Sequence, residues 1–341
     1  MSFKKFDNED IVVSADSISS VLWSTGTYNL TAAFTSSTQD SSTSGDYYLN
    51  VYQTGSDLNN AEVQYSIAYG HKDGAGASLF NSNVSGKSPS ATVYGQYRSL
   101  VLGDEELDFK FDGKVSQKGI YAISLDRARY KEKLLPGTFN LTLISGSSTR
   151  VLTDNSGMIS TVTYTDAGRE YEIISGSNGV SHDGGTGIPT AGSYGKFLPD
   201  VGLIILNAQV LESEIVPLAV LTGSNDNNGA NNGILFEAIR AGGSFKMNAE
   251  ETVSSNYIFV RVRNSEFNYS NNPSNISGSG ELRHNSMINN PQSYITTVGL
   301  YNDTNDCLGV AKLSKPLLKD FTKEALVRIK QIGRASCRER V

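Results

Sequence analysis

Cysteine, tryptophan, histidine and long apolar runs are nearly missing from this chain of 341 residues, which has 2 Cys, 1 Trp and 3 His. So little cysteine rules out the disulfide framework of a small secreted domain. The longest apolar stretch, VGLIILNAQVL (201–211), is broken by Asn207 and Gln209 and is too short to span a bilayer. The opening MSFKKFDNEDIVVSADS has two lysines but no apolar run behind them, so no secretory leader is expected. Charged side chains make up 19% of the chain, below the ~25% usual for soluble domains. Their balance is acidic, with 29 Lys and Arg against 35 Asp and Glu, and no basic stripe marks nucleic acid as a partner.

Motifs that carry chemistry are missing as well. His71, His182 and His284 lie far apart, and there is no CxxC or HExxH to gather a metal. The stretch NDNNG (225–229) loosely matches a calcium loop but lacks the later bidentate Glu. GGTGIPTAG (184–192) is glycine-rich without the Lys-Ser/Thr that grips phosphate. The acidic triplet Asp104, Glu105 and Glu106 falls in an expected turn, with nothing to set two carboxylates across a cleft. No enzyme, no cofactor and no metal site are therefore expected.

What is abundant points to β structure. Gly, Ser, Thr and Asn are frequent, with 17 Tyr and 13 Phe. Period-two alternation marks strands in DYYLNVYQT (46–54) and AEVQYSIAYG (61–70), where Val63, Tyr65, Ile67 and Tyr69 share a face. ATVYGQYRSLVLG (91–103), LDFKFDG (107–113), GIYAISLDRARY (119–130) and GTFNLTLISG (137–146) follow as further strands. Residues 109–125 read as a hairpin, and LLPG (134–137) as a turn. Residues 174–195 and 221–233 have no period and read as long Gly/Asn-rich loops flanking FLPDVGLIILNAQVL, a strand into an apolar core. ILFEAIRAGG (234–243) spaces its apolar residues as a short helix ending at Gly242 and Gly243. NYIFVRVRNSEFNYS, a hairpin closed by NDTND (302–306) and a last strand EALVRIK close the pattern. The expected fold is mainly β, of antiparallel, sandwich-like sheets in two lobes with little helix. Its expected parts are an N-terminal arm over 1–45, a β domain over 46–145 and a second β-rich lobe over 146–331.

Two charged stretches stand out. DRARYKEK (126–133) is the densest run and reads either as a solvated turn or as an ion-pair patch between subunits. FVRVRNSEFNYSNNPS interleaves arginine with aromatics, and its arginines are expected to pair with carboxylates of a neighbouring strand or subunit. Arg127, Arg129, Lys131, Arg261, Arg263 and Tyr269 are the candidate subunit-interface residues.

The chain ends in QIGRASCRERV, a burst of Arg and Cys unlike the rest. Residues 332–341 can be written back into codons as ATC GGA AGA GCG TCG TGT AGG GAA AGA GTG. That string resembles a sequencing-library adapter read in frame, so this tail is expected to lie outside the fold. Leaving out Arg334, Arg338, Arg340 and Glu339 turns 29 basic against 35 acidic residues into 26 against 34.

Six stretches, AEVQYSIAYGHKDGAGA, YGQYRSLVLG, RYKEKLLPGTFNLTL, FLPDVGLIILN, SSNYIFVRVRNSEFNYSNNPS and YITTVGLYNDTNDCLGVAKLSKPLLKDFTKEALVRIK, resemble in the same order a family of virion structural proteins from contractile-tailed marine phages. The resemblance spans about residues 45–330 and brings no catalytic residues. It implies a non-enzymatic protein of the tail, baseplate or neck. Its partners would be other virion proteins and copies of itself, with neither nucleic acid nor membrane. Such a protein is assembled in the host cytoplasm and resides in the virion. The competing reading is a receptor- or glycan-binding β module at a virion or cell surface, with exposed tyrosines stacking on sugar rings.

Overall fold

The computed structural model describes residues 4–22, 31–36, 46–52, 62–74, 90–114, 118–214, 230–270 and 272–333. The protein is mainly β, with large antiparallel sheets and few helices. In chain order the elements begin with strands β1 (Ile11–Val21), β2 (Thr31–Ser36), β3 (Asp46–Tyr52) and β4 (Val63–His71). Helix α1 (Ser90–Leu102) precedes β5 (Gly119–Leu125), β6 (Lys133–Leu134), β7 (Asn140–Ser145), β8 (Ser148–Asp154) and β9 (Thr163–Thr165). Then come β10 (Gly168–Ser177), β11 (Val180–Ser181), β12 (Gly195–Leu198) and β13 (Leu203–Asn207), followed by helices α2 (Ala208–Glu214) and α3 (Ala230–Gly242). The chain continues through β14 (Phe245–Lys246), β15 (Asn248–Val262), the single turn α4 (Ser286–Asn289), β16 (Ser293–Tyr301), β17 (Cys307–Lys319) and β18 (Ala325–Gly333).

Two compact units form, one from residues 18–251 and one from residues 1–17 with 252–341. The boundary expected near residue 145 lies inside the first unit, in the hairpin where Ser145 pairs with Ser148. The N-terminal stretch is no separate arm either: β1 is hydrogen-bonded into a sheet with β15 and β18. Sequence composition does not mark these divisions, because the strands that pair are more than two hundred residues apart.

The first unit is built on one sheet in the order β14-β7-β8-β10-β12-β13-β5-β4-β3-β2. The central strands β4, β5, β12 and β13 are buried on both faces, so their apolar residues run nearly unbroken. One face, with Tyr65, Ile67, Tyr121, Ile123, Phe139, Leu141, Phe197 and Ile204, packs with α3 residues Leu235, Phe236 and Ile239. The rings of Tyr65 on β4 and Phe245 on β14 meet edge-on, with centroids 5.2 Å apart. Those strands stand at nearly opposite ends of the sheet order, so the sheet curls back over its own core. The other face, with Ala68, Ile120, Ala122, Leu203 and Ile205, is covered by α1 and by Phe109 and Phe111.

Two expected strands take other forms. Residues 91–103 form α1, because Val93, Tyr94, Tyr97 and Val101 recur at helical spacing and bury one stripe on β4 and β5. Residues 107–114 form an irregular segment whose Phe109 and Phe111 plug the core, with Asp112 and Gly113 at positive φ, so the expected hairpin with β5 does not form. The stretch expected as one strand over 197–211 is a tight hairpin, β12 and β13, running into α2. The expected loop 174–195 is partly ordered, as β10 continues to Ser177 and turns into β11. Of the expected loop 221–233, residues 221–229, with the stretch NDNNG, lie outside the described residues, as do 334–341, while 230–233 open helix α3.

Ile332 and Gly333, expected to lie outside the fold, continue β18 opposite Ser255 and Ser254. Other expected elements are present. Helix α3 ends at Gly242, where Gly243 at φ 60° donates its N–H to Ile239 O at 3.2 Å. The LLPG turn places Gly137 at φ 83°, with its N–H donating to both oxygens of the fully buried Asp154. The last strand and the NDTND hairpin form as β18 and as β16–β17.

Helix α1 crosses β4 at Gly70, where a Cβ would lie 2.8 Å from Tyr94 N. Gly70→Ala should therefore lower stability by about 1–3 kcal/mol, the usual cost of overpacking. Gly95, inside α1, has nothing within 4 Å of the same position. Gly95→Ala should raise stability by about 0.5–1 kcal/mol. Urea midpoints of the two variants should move in opposite directions.

Candidate subunit interface

The charge run after β5 is tied down within the chain. Asp126 Oδ1 accepts from Ala128 N at 2.8 Å and closes the turn. Arg129 pairs with Glu62, Lys131 Nζ with Glu251 at 3.0 Å and Lys133 Nζ with Glu250 at 3.6 Å. The Arg127 guanidinium lies over the Tyr130 ring, 4.6 Å from its centroid. Tyr130 is itself buried against Gly202, whose φ of 68° and missing Cβ make room for the ring. Arg127, Arg129 and Lys131 are thus neighbours on one turn, and each has its counter-group on this chain.

Arg261 and Arg263 do not share a strand face, because β15 ends at Val262 and Arg263 begins the following turn. Neither guanidinium forms an ion pair among the described residues. The backbone at both positions is used instead: Lys4 Nζ donates to Arg261 O, and Arg263 N donates to Glu266 Oε2 at 2.9 Å. Lys4 also pairs with Glu266 at 3.0 Å, and the Arg263 N–H and Lys4 together hold that carboxyl below its ordinary pKa. Tyr269 is exposed in the loop beyond.

A buried ionic cluster went unpredicted. On the antiparallel β10–β12 pair Glu172 faces Lys196 directly, and Glu170 projects to the same side two residues earlier. Lys196 Nζ bonds Glu170 and reaches Glu172 Oε1 at 3.4 Å, while Ser193 Oγ donates to Glu172. Asp112 N also donates to Glu172, at 3.2 Å. Burial pushes the Glu172 carboxyl above the ordinary value in spite of Lys196. At the head of β10, Arg169 forks onto Asp200 with contacts of 2.6 and 3.1 Å. Burial opposes the Asp200 charge, but the hydrogen bonds from Arg169 hold its pKa below 3.8. The alternating EYE of β10 and the lone Lys of β12 were visible in sequence, but only strand register brings them together.

In the second unit, β16 and β17 form a two-stranded ribbon of their own. Its register jumps between Ile295–Leu317 and Thr297–Lys312, so residues 313–316, including Pro316, bulge from β17 against Thr296. The bulge separates a root from an outer part. The outer part buries almost nothing: Leu308 is 70% exposed and Val310 65%, and at the root Tyr294 is 63% exposed. The root is anchored by Lys319, whose side chain is wholly buried. Its ammonium donates to Asn264 O at 2.9 Å, Asn268 Oδ1 at 2.7 Å and Asp320 O at 2.9 Å. Three oxygen acceptors satisfy all three of its protons.

The histidines play local parts. His71 ends β4, as expected, and its Nδ1 accepts from Asp73 N at 3.1 Å; burial lowers its pKa. His182 Nε2 lies 3.1 Å from Ser177 Oγ in an exposed loop, and His284 is exposed. Asp104, Glu105 and Glu106 form an exposed turn after α1, where Asp104 Oδ1 accepts from Glu106 N. Among the described residues no group of three or more His, Cys, Asp or Glu is placed to hold a metal ion. No helix among them is long and apolar enough to cross a membrane. No family model, curated protein or solved structure matches the chain.

Lys319→Met should strand two buried acceptors, Asn268 Oδ1 and Asp320 O, each costing about 1–3 kcal/mol. Hydrogen exchange of residues 264–270 and of the ribbon root should quicken together in that variant. Glu172 gives a pH signature. A carboxyl raised in the folded state binds more protons there than in the unfolded chain, so its contribution to stability falls as pH rises from the ordinary value of 4.5. Glu172→Gln should remove that fall. Its stability relative to wild type should increase with pH above 4.5, measured as urea unfolding free energies across that range.

Proposed function

We propose that this protein is a non-enzymatic structural component of a virion, working through subunit contacts in the tail, baseplate or neck. The observation that carries the reading is the β16–β17 ribbon. An isolated two-stranded ribbon is at best marginal in water, yet this one projects Leu308, Val310, Tyr294 and Tyr301 into solvent. A surface of this kind is expected where chains stack permanently on one another. The resemblance of six stretches to virion proteins of contractile-tailed phages supports the same reading, as does the low charge content. Such a chain would be assembled in a host cytoplasm and reside in the particle, with other virion proteins and copies of itself as partners. The intrachain pairing of Arg129 and Lys131 moves the expected contact surface away from the charge run and toward the second unit.

One observation favours a second reading, a glycan-binding module: Tyr164, Tyr269 and Tyr294 are exposed, as rings that stack on sugars must be. Mass spectrometry of density-purified phage particles that carry this gene should recover its peptides in stoichiometric amount. A long read through the gene should place it among capsid, neck or tail genes. Peptides absent from particles, together with specific binding on a glycan array, would replace the structural reading with the second one.

A further inference from the structure

The second unit offers two complementary open edges. Strand β1 has β15 on one side and no strand among the described residues on the other. Natural edge strands are usually blunted by a lysine, a proline or a bulge. Over Ile11–Ser17 β1 has no lysine and no proline, and it exposes Ile11, Val12 and Val13, the last at 68%. The segment leading into it carries Asp7, Glu9 and Asp10, none of which has an ion-pair partner among the described residues. The outer part of β17, Cys307–Lys312, has β16 on one side and no strand among the described residues on the other; it carries Lys312 and irregular register at Leu308, but also apolar Leu308 and Val310 in solvent. The only charges on β16 and β17 are lysines: Lys319 is buried at the root, and Lys312 and Lys315 are exposed without ion-pair partners among the described residues.

We infer that the outer edge of β17 in one copy of this chain adds as a strand to the free edge of β1 in a second copy, with Lys312 and Lys315 facing Asp7, Glu9 and Asp10. The inference rests on the subunit-contact reading and names its surfaces. Charge decides between the two free edges of the sheet. The edge formed by β18 carries Arg328, with no ion-pair partner among the described residues, and Lys330, paired with Asp16; with no acid between Ala325 and Gly333 it would set Arg328 against the ribbon lysines. Main-chain hydrogen bonds would supply the affinity of strand addition, and the apolar and charged side chains its register. The contact is heterologous, because a ribbon meets an edge rather than another ribbon. A bound pair therefore keeps one ribbon and one edge open, and the assembly closes as a ring or continues as a stack.

The test is light scattering during size-exclusion chromatography of the full chain over a range of concentrations, at low and high salt. Wild type should associate, and more weakly in high salt. The double variant Lys312→Glu with Lys315→Glu and the triple variant Asp7→Lys, Glu9→Lys and Asp10→Lys should each associate about tenfold more weakly or worse, since like charges then face one another. All five positions are at the surface or nearly so, and mixing the two variants should restore association. Wild-type association that both variants leave unchanged would overturn the inference while leaving the subunit-contact reading intact. A wild type that stays monomeric at every concentration would also overturn it, and the subunit-contact reading would then stand or fall on the presence of the protein in particles.

Discussion

Everything in the larger unit depends on a single long ladder of main-chain hydrogen bonds curling until its ends share a core. Strands β4 and β14 stand far apart in the sheet order, yet Tyr65 and Phe245 touch ring to ring. That closure forces the central strands to bury both faces, which sets the rest. Alanines and glycines are needed where α1 lies on β4, as at Ala68 and Gly70. Buried carboxylates need dedicated donors, as Asp154 finds in the Gly137 turn. Charge on the central strands must be neutralised in place, as Lys196 does between Glu170 and Glu172.

The smaller unit works under the opposite constraint. Its strands are long and poorly covered, and much of its apolar surface faces water. Order there comes from point anchors rather than from a broad core. Lys319 gathers Asn264, Asn268 and Asp320 beneath the ribbon, and Lys4 gathers the Arg261 carbonyl and Glu266 at the start of the chain. Asp16 does the same for the sheet, accepting from Ser255 and pairing with Lys330. Small polar anchors of this kind hold a shape whose apolar surface is left exposed.

The fold class was legible in the chain because strand alternation is a local property. The strands expected at 46–54, 61–70 and 137–146 and the final hairpin are all present. The errors have physical causes. In residues 91–103 the tyrosines and valines satisfy both a strand and a helix template, and only their burial on β4 and β5 decides for the helix. Phe109 and Phe111 alternate like a strand but serve as plugs. The candidate interface was less legible. A run such as 126–133 shows its charges but not its partners, and the carboxylates of Glu62 and Glu251 come from distant segments. The Lys319 anchor looked like any lysine at a strand end, since its three acceptors are assembled only by the turn at 264–268 and the start of the next one.

The bulge at residues 313–316 separates two mechanical regimes in the ribbon. Below it, the register of Ile295 with Leu317 is locked to the Lys319 anchor; above it, Thr297–Leu300 run against Gly309–Lys312 in a register of their own, which shifts again between Leu300 and Tyr301. The outer segment can therefore gain or lose a matched pair of residues without disturbing the anchor. Each such step changes the reach of the ribbon by about 3.3 Å. In the proposed assembly, the spacing between successive copies would then be adjustable by editing one hairpin, while the folded body beneath it stays the same.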